Sequence, residues 1–289
     1  MRYLIRRNLR LYFSNRSGMF FSLMGALISF VLYLVFLKQN MLSSWEQVPQ
    51  TKLILDPWLI GGTLAVTAVT TTANGLGQMI RDRESGTLAD LALTDVSYIG
   101  LQISYLISSV VIGTLMQLVM FVGMTGYFGI TDHIKLSVTI VLLIIMIAII
   151  SSVVWTIFNL LILSFVKNVD TLGKIGTILG TSAGFFAGIY LPIGMVPKFA
   201  QTLMKLTPAP YNAALYRQVL MHEQLKISFQ DATSDVQTTF EKMMGVGVEI
   251  NRLTTWQQNI IVLLLFAVAF GIVTLVLMKG ARRTVLSHV

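Results

Sequence analysis

Much of the chain is built from apolar stretches of about 18 or more residues without a charge, the length a helix needs to cross about 30 Å of hydrocarbon. Inside a bilayer no water satisfies a stray backbone N–H or C=O, so each stretch must close its own hydrogen bonds as a helix. The alternating segments of about ten residues that build membrane barrels are not visible. Charged residues make up 12% of the chain, against about 25% in soluble domains, so water is the wrong solvent for most of this surface. The expected fold is all-α, a polytopic membrane protein with six transmembrane helices in one domain.

The spans are expected at about 19–37, 58–80, 100–128, 136–166, 173–191 and 257–278. Arg2, Arg6, Arg7, Arg10 and Arg16 precede the first. Arg81 and Arg83 follow the second, Lys167 and Lys174 sit between the fourth and fifth, and Lys279, Arg282 and Arg283 follow the last. The short loops opposite hold only Lys38, Lys52 and Lys135. Positive charge in short flanks marks the cytoplasmic side, so both termini should be cytoplasmic. The net charge of +8 fits basic residues at a lipid surface and does not call for nucleic acid.

The chain lacks cysteine, which excludes disulfides and thiolate metal sites. His133, His222 and His288 lie outside the apolar blocks without ligand spacing, as ordinary loop residues. No metal or cofactor is expected in the chain. The basic N-terminus leads into an apolar block too long for a signal peptide and without a small-residue cleavage site, so an anchor is expected. Within residues 2–16, Ile5, Leu9, Tyr12 and Phe13 share one face and Arg2, Arg6 and Arg10 another. That pattern predicts an interfacial helix, either a topogenic anchor on anionic lipid or one that also touches a cytoplasmic partner.

The long 192–256 segment should be external. It restarts at Pro197, runs to Leu206, breaks at Thr207-Pro208-Ala209-Pro210 and resumes at Tyr211. Two short surface helices joined by a proline turn fit this punctuation, with residues 228–245 as a polar loop.

None of the expected spans holds Asp, Glu, Arg or His in its interior, and Lys174 lies at an end. Ion-coupled machines place ionisable groups at membrane depth, and no GxxxxGK[ST] phosphate loop is present. Active transport would therefore draw its energy from another subunit. Paired carboxylates, a histidine cluster or a Ser-His constellation at common depth are also missing, which argues against an enzyme.

After the second span the chain reads Arg81-Asp82-Arg83-Glu84-Ser85-Gly86-Thr87-Leu88-Ala89-Asp90-Leu91-Ala92-Leu93-Thr94-Asp95. Thr87 and Asp90 have capping-box spacing, and Leu88, Leu91 and Ala92 make one apolar face. A short helix parallel to the membrane follows, resting on lipid or seated in a groove of a soluble partner.

Here Arg83, Glu84, Gly86, Thr87, Leu88, Leu91 and Thr94 resemble the R-E-x-G-T-L-x-x-L-x-x-T segment of ABC-2 type exporter permeases. Pro192 and Pro197, then Pro208, Tyr211 and Arg217, are similar to that family's P-x-x-x-x-P and P-x-x-Y-x-x-x-x-x-R stretches, which would form the extracellular gate. The double proline at Pro208 and Pro210 departs from the Asn-Pro common in relatives. The resemblance implies a half-transporter of a bacterial cytoplasmic membrane, in which two permeases, identical or sister chains, bind two separate ATPase subunits that hold ATP and Mg. The helix from Gly86 would be the coupling helix, with Asp90 on it and Glu84 fixing its geometry.

Gly176, Gly180, Gly184 and Gly188 recur at i+4. Such a ladder serves close packing, or, as the resemblance implies, a sliding dimer interface beside the translocation path. Thr63, Thr67, Thr70, Thr71 and Asn74 form a polar stripe on the second span, and Trp155 and Asn159 sit on the fourth; interhelical hydrogen bonding and pore lining both fit. A path without fixed charge suits a hydrophobic or amphipathic cargo: drugs, lipophilic metabolites or peptides. A lipid-linked glycan exporter, or a sensory or immunity component without cargo, are the alternatives.

Overall fold

A computed structural model describes residues 1–286 apart from Gln47, Asp95, Lys135 and residues 231–233. Asp95 of the expected coupling segment, Lys135 and His288 therefore lie outside the described residues. Helix α1 (Arg2–Ser14) turns through Asn15, whose side chain accepts from Gly18 N, into α2 (Arg16–Ser22). Next come α3 (Met24–Leu32), a π-helical turn (Tyr33–Leu37) and α4 (Lys38–Ser44), which together form one membrane-length rod. Then follow α5 (Thr51–Glu84), the short α6 (Thr87–Ala92), α7 (Tyr98–Thr131), α8 (Val138–Leu163) and α9 (Val169–Phe186). A 3-10 turn (Ile193–Met195), α10 (Lys198–Lys205), α11 (Ala209–Ser228), α12 (Ser234–Met244) and α13 (Trp256–Leu286) complete the order.

Helix α5 is the axis of the bundle. Of its most apolar stretch 89% is buried, against 17% in α13 and 22% in the rod that includes α3 and α4, whose apolar outer faces belong to lipid. It packs against α7, α8, α9 and α11. Small residues permit this. A Cβ on Gly62 would lie 2.6 Å from Ile189, and one on Gly113 would lie 2.4 Å from Thr72, so backbones meet where lipid offers no driving force other than close contact and hydrogen bonding.

The all-α membrane fold expected from the apolar stretches is what the structure has, with differences in detail. Among the described residues, five helices are long and apolar enough to cross a membrane. The fifth expected span became α9, 18 residues long, ending at Phe186, where the C-cap Ala187 and Gly188 at φ 64 turn the chain. Its first turns carry Asp170 and Lys174 as an exposed ion pair, which lowers its apolar content. The second span starts at Thr51, not 58, and runs through Pro57. The turn before it is pinned by Thr51, whose hydroxyl donates to the Trp45 and Val48 carbonyls.

The extension corrects the expectation of spans free of acidic residues. Asp56 is fully buried within α5, accepting from Tyr33 (2.9 Å) and paired with Lys38 (2.9 Å), which also pairs with Asp132 (2.9 Å). At Asp132, burial raises the carboxyl pKa but hydrogen bonds from Lys38 and Thr131 outweigh it and hold it below the usual range. The expected polar loop at 228–245 is also corrected. Residues Ser234–Met244 are helical, and Phe240 is buried between Trp45 and Phe229, so apolar anchors within a polar stretch decide its structure. Likewise α11 is not a surface helix, because Tyr211, Leu215, Tyr216 and Leu220 are buried against the bundle, and His222 is an exposed helical residue.

Candidate functional site

At the end of α5 the chain reverses at Gly86, whose φ of 80 suits glycine and which serves as the N-cap of α6. The capping box is corrected: Thr87 is already the first helical residue, and its hydroxyl meets Ser85 Oγ at 2.9 Å, with no side-chain cap. Leu88 and Leu91 pack onto the apolar cluster that holds Leu76, Met79, Ile80, Leu101 and Tyr105. They are spent on the bundle. The outward face consists of Ala89, Asp90, Ala92, Thr94 and above all Leu93, which is 88% exposed.

Two acidic residues tie the root of α6 to neighbouring helices. Glu84 Oε2 accepts from Val169 N at 2.7 Å, at the positive N-terminal end of α9. Asp82 accepts from both terminal nitrogens of Arg7 (2.7 and 2.9 Å), from Gln78 (2.8 Å) and from Tyr105. The hydrogen bond to Asp82 raises the Arg7 guanidinium pKa above its ordinary value, against the opposing effect of burial. Arg83 stays exposed. Nothing in the spacing of Arg7, Asp82 and Tyr105 announces this cluster, since Arg7 and Asp82 lie 75 residues apart.

Above it opens a groove of about 620 Å³ between α2–α3 and α9, floored by α5. The structure brings Thr70 and Asn74 from α5 together with Gly176 and Gly180 from α9 along its walls, and adds Arg81 at one end. The polar stripe on α5 is thus divided. Thr63, Thr67 and Thr71 are fully buried away from the groove, and the hydroxyls of Thr67 and Thr71 back-bond to the Thr63 and Thr67 carbonyls. Asn159 donates to the Val69 carbonyl and Thr72 hydroxyl, both at 2.9 Å, and lies buried between α8 and α5, with Trp155 also in the core.

The glycine ladder is divided too. A Cβ on Gly176 would meet open space, and one on Gly180 would meet only the Thr70 methyl at 3.9 Å. Gly184 instead lies under the Tyr190 ring, where a Cβ would come within 2.3 Å, and Gly188 supplies the positive φ of the turn.

At the opposite end of the bundle, prolines set the punctuation expected of them. Pro192 precedes the 3-10 turn, Pro197 is the N-cap of α10 and Pro208 that of α11; the Tyr211 hydroxyl closes the turn onto the Lys205 carbonyl. Arg217 is the centre. Its guanidinium is wholly buried over the Trp58 ring, 4.5 Å from the centroid, and donates to the carbonyls of Trp58, Ala187, Gly188, Met244 and Gly245 at 3.2–3.3 Å. Helices α9 and α12 both end here. Their negative ends and bare carbonyls supply what a carboxylate would otherwise provide. Burial pushes the guanidinium pKa down to about 9, which leaves it charged at neutral pH.

The helical membrane bundle thus carries a short helix at one end, tied to its neighbours by side chains of the Arg81–Glu84 turn. No curated protein matches the chain. A family model described as ABC-2 type transporter matches residues 1–221. That match takes in α1 to α9, the short helix, the groove and Arg217. The chain therefore belongs to the ABC-2 type transporter family, as a multi-pass membrane component of an ABC transporter.

Proposed function

We propose that this chain is the permease subunit of an ATP-driven exporter, moving hydrophobic or amphipathic small molecules out of the cell. Two copies, or one copy and a sister permease, would work with two ABC ATPase subunits that hold ATP and Mg. The short helix α6 would lie on the cytoplasmic side, where the basic flanks and the arginine-rich α1 favour an anionic lipid surface.

The observation that carries this reading is the Glu84 contact to Val169 N. It joins the root of α6 to α9, the helix that walls the groove, so a push on α6 reaches the groove through one short polar link. Arg7 and Asp82 carry the same push to α1. ATP binding in the partner would tilt α9 as a rigid body about the Gly188 turn, where Arg217 holds its other end. Extracellular Pro192, Pro197, Pro208, Tyr211 and Arg217 would then form the gate.

The outward face of α6 gives the test. Leu93→Asp should abolish co-purification with the ATPase while leaving the melting temperature of the permease unchanged, because Leu93 touches little of its own chain. Glu84→Gln should leave the complex assembled and ATP hydrolysis running but lower ATP-dependent flux in vesicles. Wild-type flux in both variants would remove α6 as the point of drive.

A further inference from the structure

At its Arg81 end the groove meets a second, smaller pocket of about 50 Å³ beneath the α1–α2 turn, and Asn74 and Arg81 line both. Their characters differ. The groove is walled by Phe21, Ile28, Leu172, Ile175 and glycine, whereas the small pocket gathers Asn8, Asn15, Asn74, Gln78 and Arg81. Its volume exceeds the roughly 10–15 Å³ that one water needs.

One buried donor at this pocket has no partner, and one cation has only a weak one. Asn8 is 3% exposed, its Oδ1 takes a bond from Arg7, and its Nδ2 has no acceptor. Buried donors without partners are rare enough to call for an explanation. Arg81 Nη2 reaches only as far as Asn74 Oδ1, at 3.3 Å. The acidic neighbour Asp82 is taken up by Arg7, and among the described residues no carboxylate pairs with Arg81. An arginine without a carboxylate partner and an asparagine with an unpaired amide line one small polar pocket, a donor set that suits an anion, and the apolar groove that meets it suits a hydrocarbon chain.

From this juxtaposition we infer that the site takes an anionic amphiphile, with a phosphate or carboxylate head held by Arg81 and Asn8 and a hydrocarbon tail along the Gly176 face of α9. The inference rests on the proposal that the groove borders the transport path, and it narrows the cargo to amphiphiles bearing negative charge.

Binding to the purified full chain in uncharged detergent tests it, with lysophosphatidic acid, lysophosphatidylcholine of the same chain length and inorganic phosphate as probes. Lysophosphatidic acid should bind at least tenfold more tightly than the choline lipid, and millimolar phosphate should not displace it. Arg81→Gln and Asn8→Ala should each weaken lysophosphatidic acid about tenfold while sparing the choline lipid, and Arg81→Lys should recover most of the loss. Gly176→Trp, at a position with open space around it, should block both lipids; Arg10→Gln, on the exposed face of α1, should change neither. Equal affinity for the two lipids, or unchanged lysophosphatidic acid binding in both Arg81→Gln and Asn8→Ala, would overturn the inference. Displacement by phosphate alone would overturn it in favour of a free anion. No nucleotide is involved, so binding without ATP-dependent flux would sink the transport proposal and leave this site standing, while flux without preference for the anion would sink only this site.

Discussion

The Arg7–Asp82 pair allows a cycle of three variants: Arg7→Met, Asp82→Asn and both. The Asp82 side chain is 4% exposed and that of Arg7 30%. Removing Arg7 strips two charge-assisted hydrogen bonds from a buried carboxylate, each worth about 1.5–3 kcal/mol. Tyr105 and Gln78 still donate to it, and water can enter where the arginine was part-exposed, so the lower end, about 3 kcal/mol, is the expected loss. Asp82→Asn leaves the guanidinium facing an amide that offers one acceptor, at about 2–3 kcal/mol. The double variant buries no charge. Because breaking one side of a buried pair costs more than replacing both, it should be more stable than the sum of the single changes by about 2 kcal/mol. Equilibrium unfolding of the full chain in mixed micelles measures this. Flux should behave differently: the double variant regains stability but not transport, since α1 is no longer bolted to α5. Additivity of the two single changes within about 0.5 kcal/mol, or full flux in the double variant, would refute the reasoning.

Arg217→Lys keeps the charge but replaces five N–H donors in a planar fork by three. The Ala187, Gly188 and Gly245 carbonyls then compete for donors and the stacking over Trp58 is lost, so unfolding should become easier by about 2–4 kcal/mol; an unchanged melting curve would show that the helix ends do not need the fork. At the other ion cluster, Asp132 has a folded pKa below its unfolded value near 4, so its contribution is complete above that unfolded value and fades as pH falls through the lower, folded one. The stability gap between wild type and Asp132→Asn should therefore stay constant from about pH 6 to 8 and close in acid, as denaturant titrations at each pH would measure; a gap that changes near neutrality would contradict the pairing with Lys38.

What the sequence made legible was what depends on local composition. Apolar length revealed the helices, and the prolines at 192, 197 and 208 marked turns that the structure places at helix starts. The motif around Gly86 marked the chain reversal, because only a residue without a Cβ adopts a φ of 80 cheaply. The direction in which α6 faces was not legible, since Leu88 and Leu91 suit a partner groove and the bundle equally well, and only the apolar surface that α5 and α7 build beneath α6 decides. Long-range ion pairs were hidden for another reason. Asp56 and Asp82 flank an apolar stretch as interfacial residues would, and only their partners Lys38 and Arg7, drawn from separate helices, turn them inward. Arg217 was visible as part of a motif, yet its counter-charge is made of backbone carbonyls at two helix ends, which no residue type reports.

These contacts assign different mechanical duties to α5 and α9. Helix α5 is enclosed along its length and anchored near both ends, at Asp56 and at Asp82, so moving it would break two buried ion pairs at once. Helix α9 is held otherwise. One link, Glu84 to Val169 N, grips its start, and the Arg217 fork grips the Ala187 and Gly188 carbonyls at its end. Between them a Cβ on Gly173 or Gly176 would meet open space. Leu172, Ile175, Leu179 and Phe186 pack one side of α9 into the bundle, while its Gly173 and Gly176 positions face open space, so a rigid-body tilt would move the open side. Under the proposed drive through α6, force would leave α5 at Glu84 and reach α9 through its contact with Val169 N. Gly180 lets α9 approach α3, where a Cβ on Gly25 would lie 3.1 Å from the Gly180 carbonyl, whereas a Cβ on Gly176 would meet open space, so a side chain there would narrow the groove that a tilt of α9 would widen.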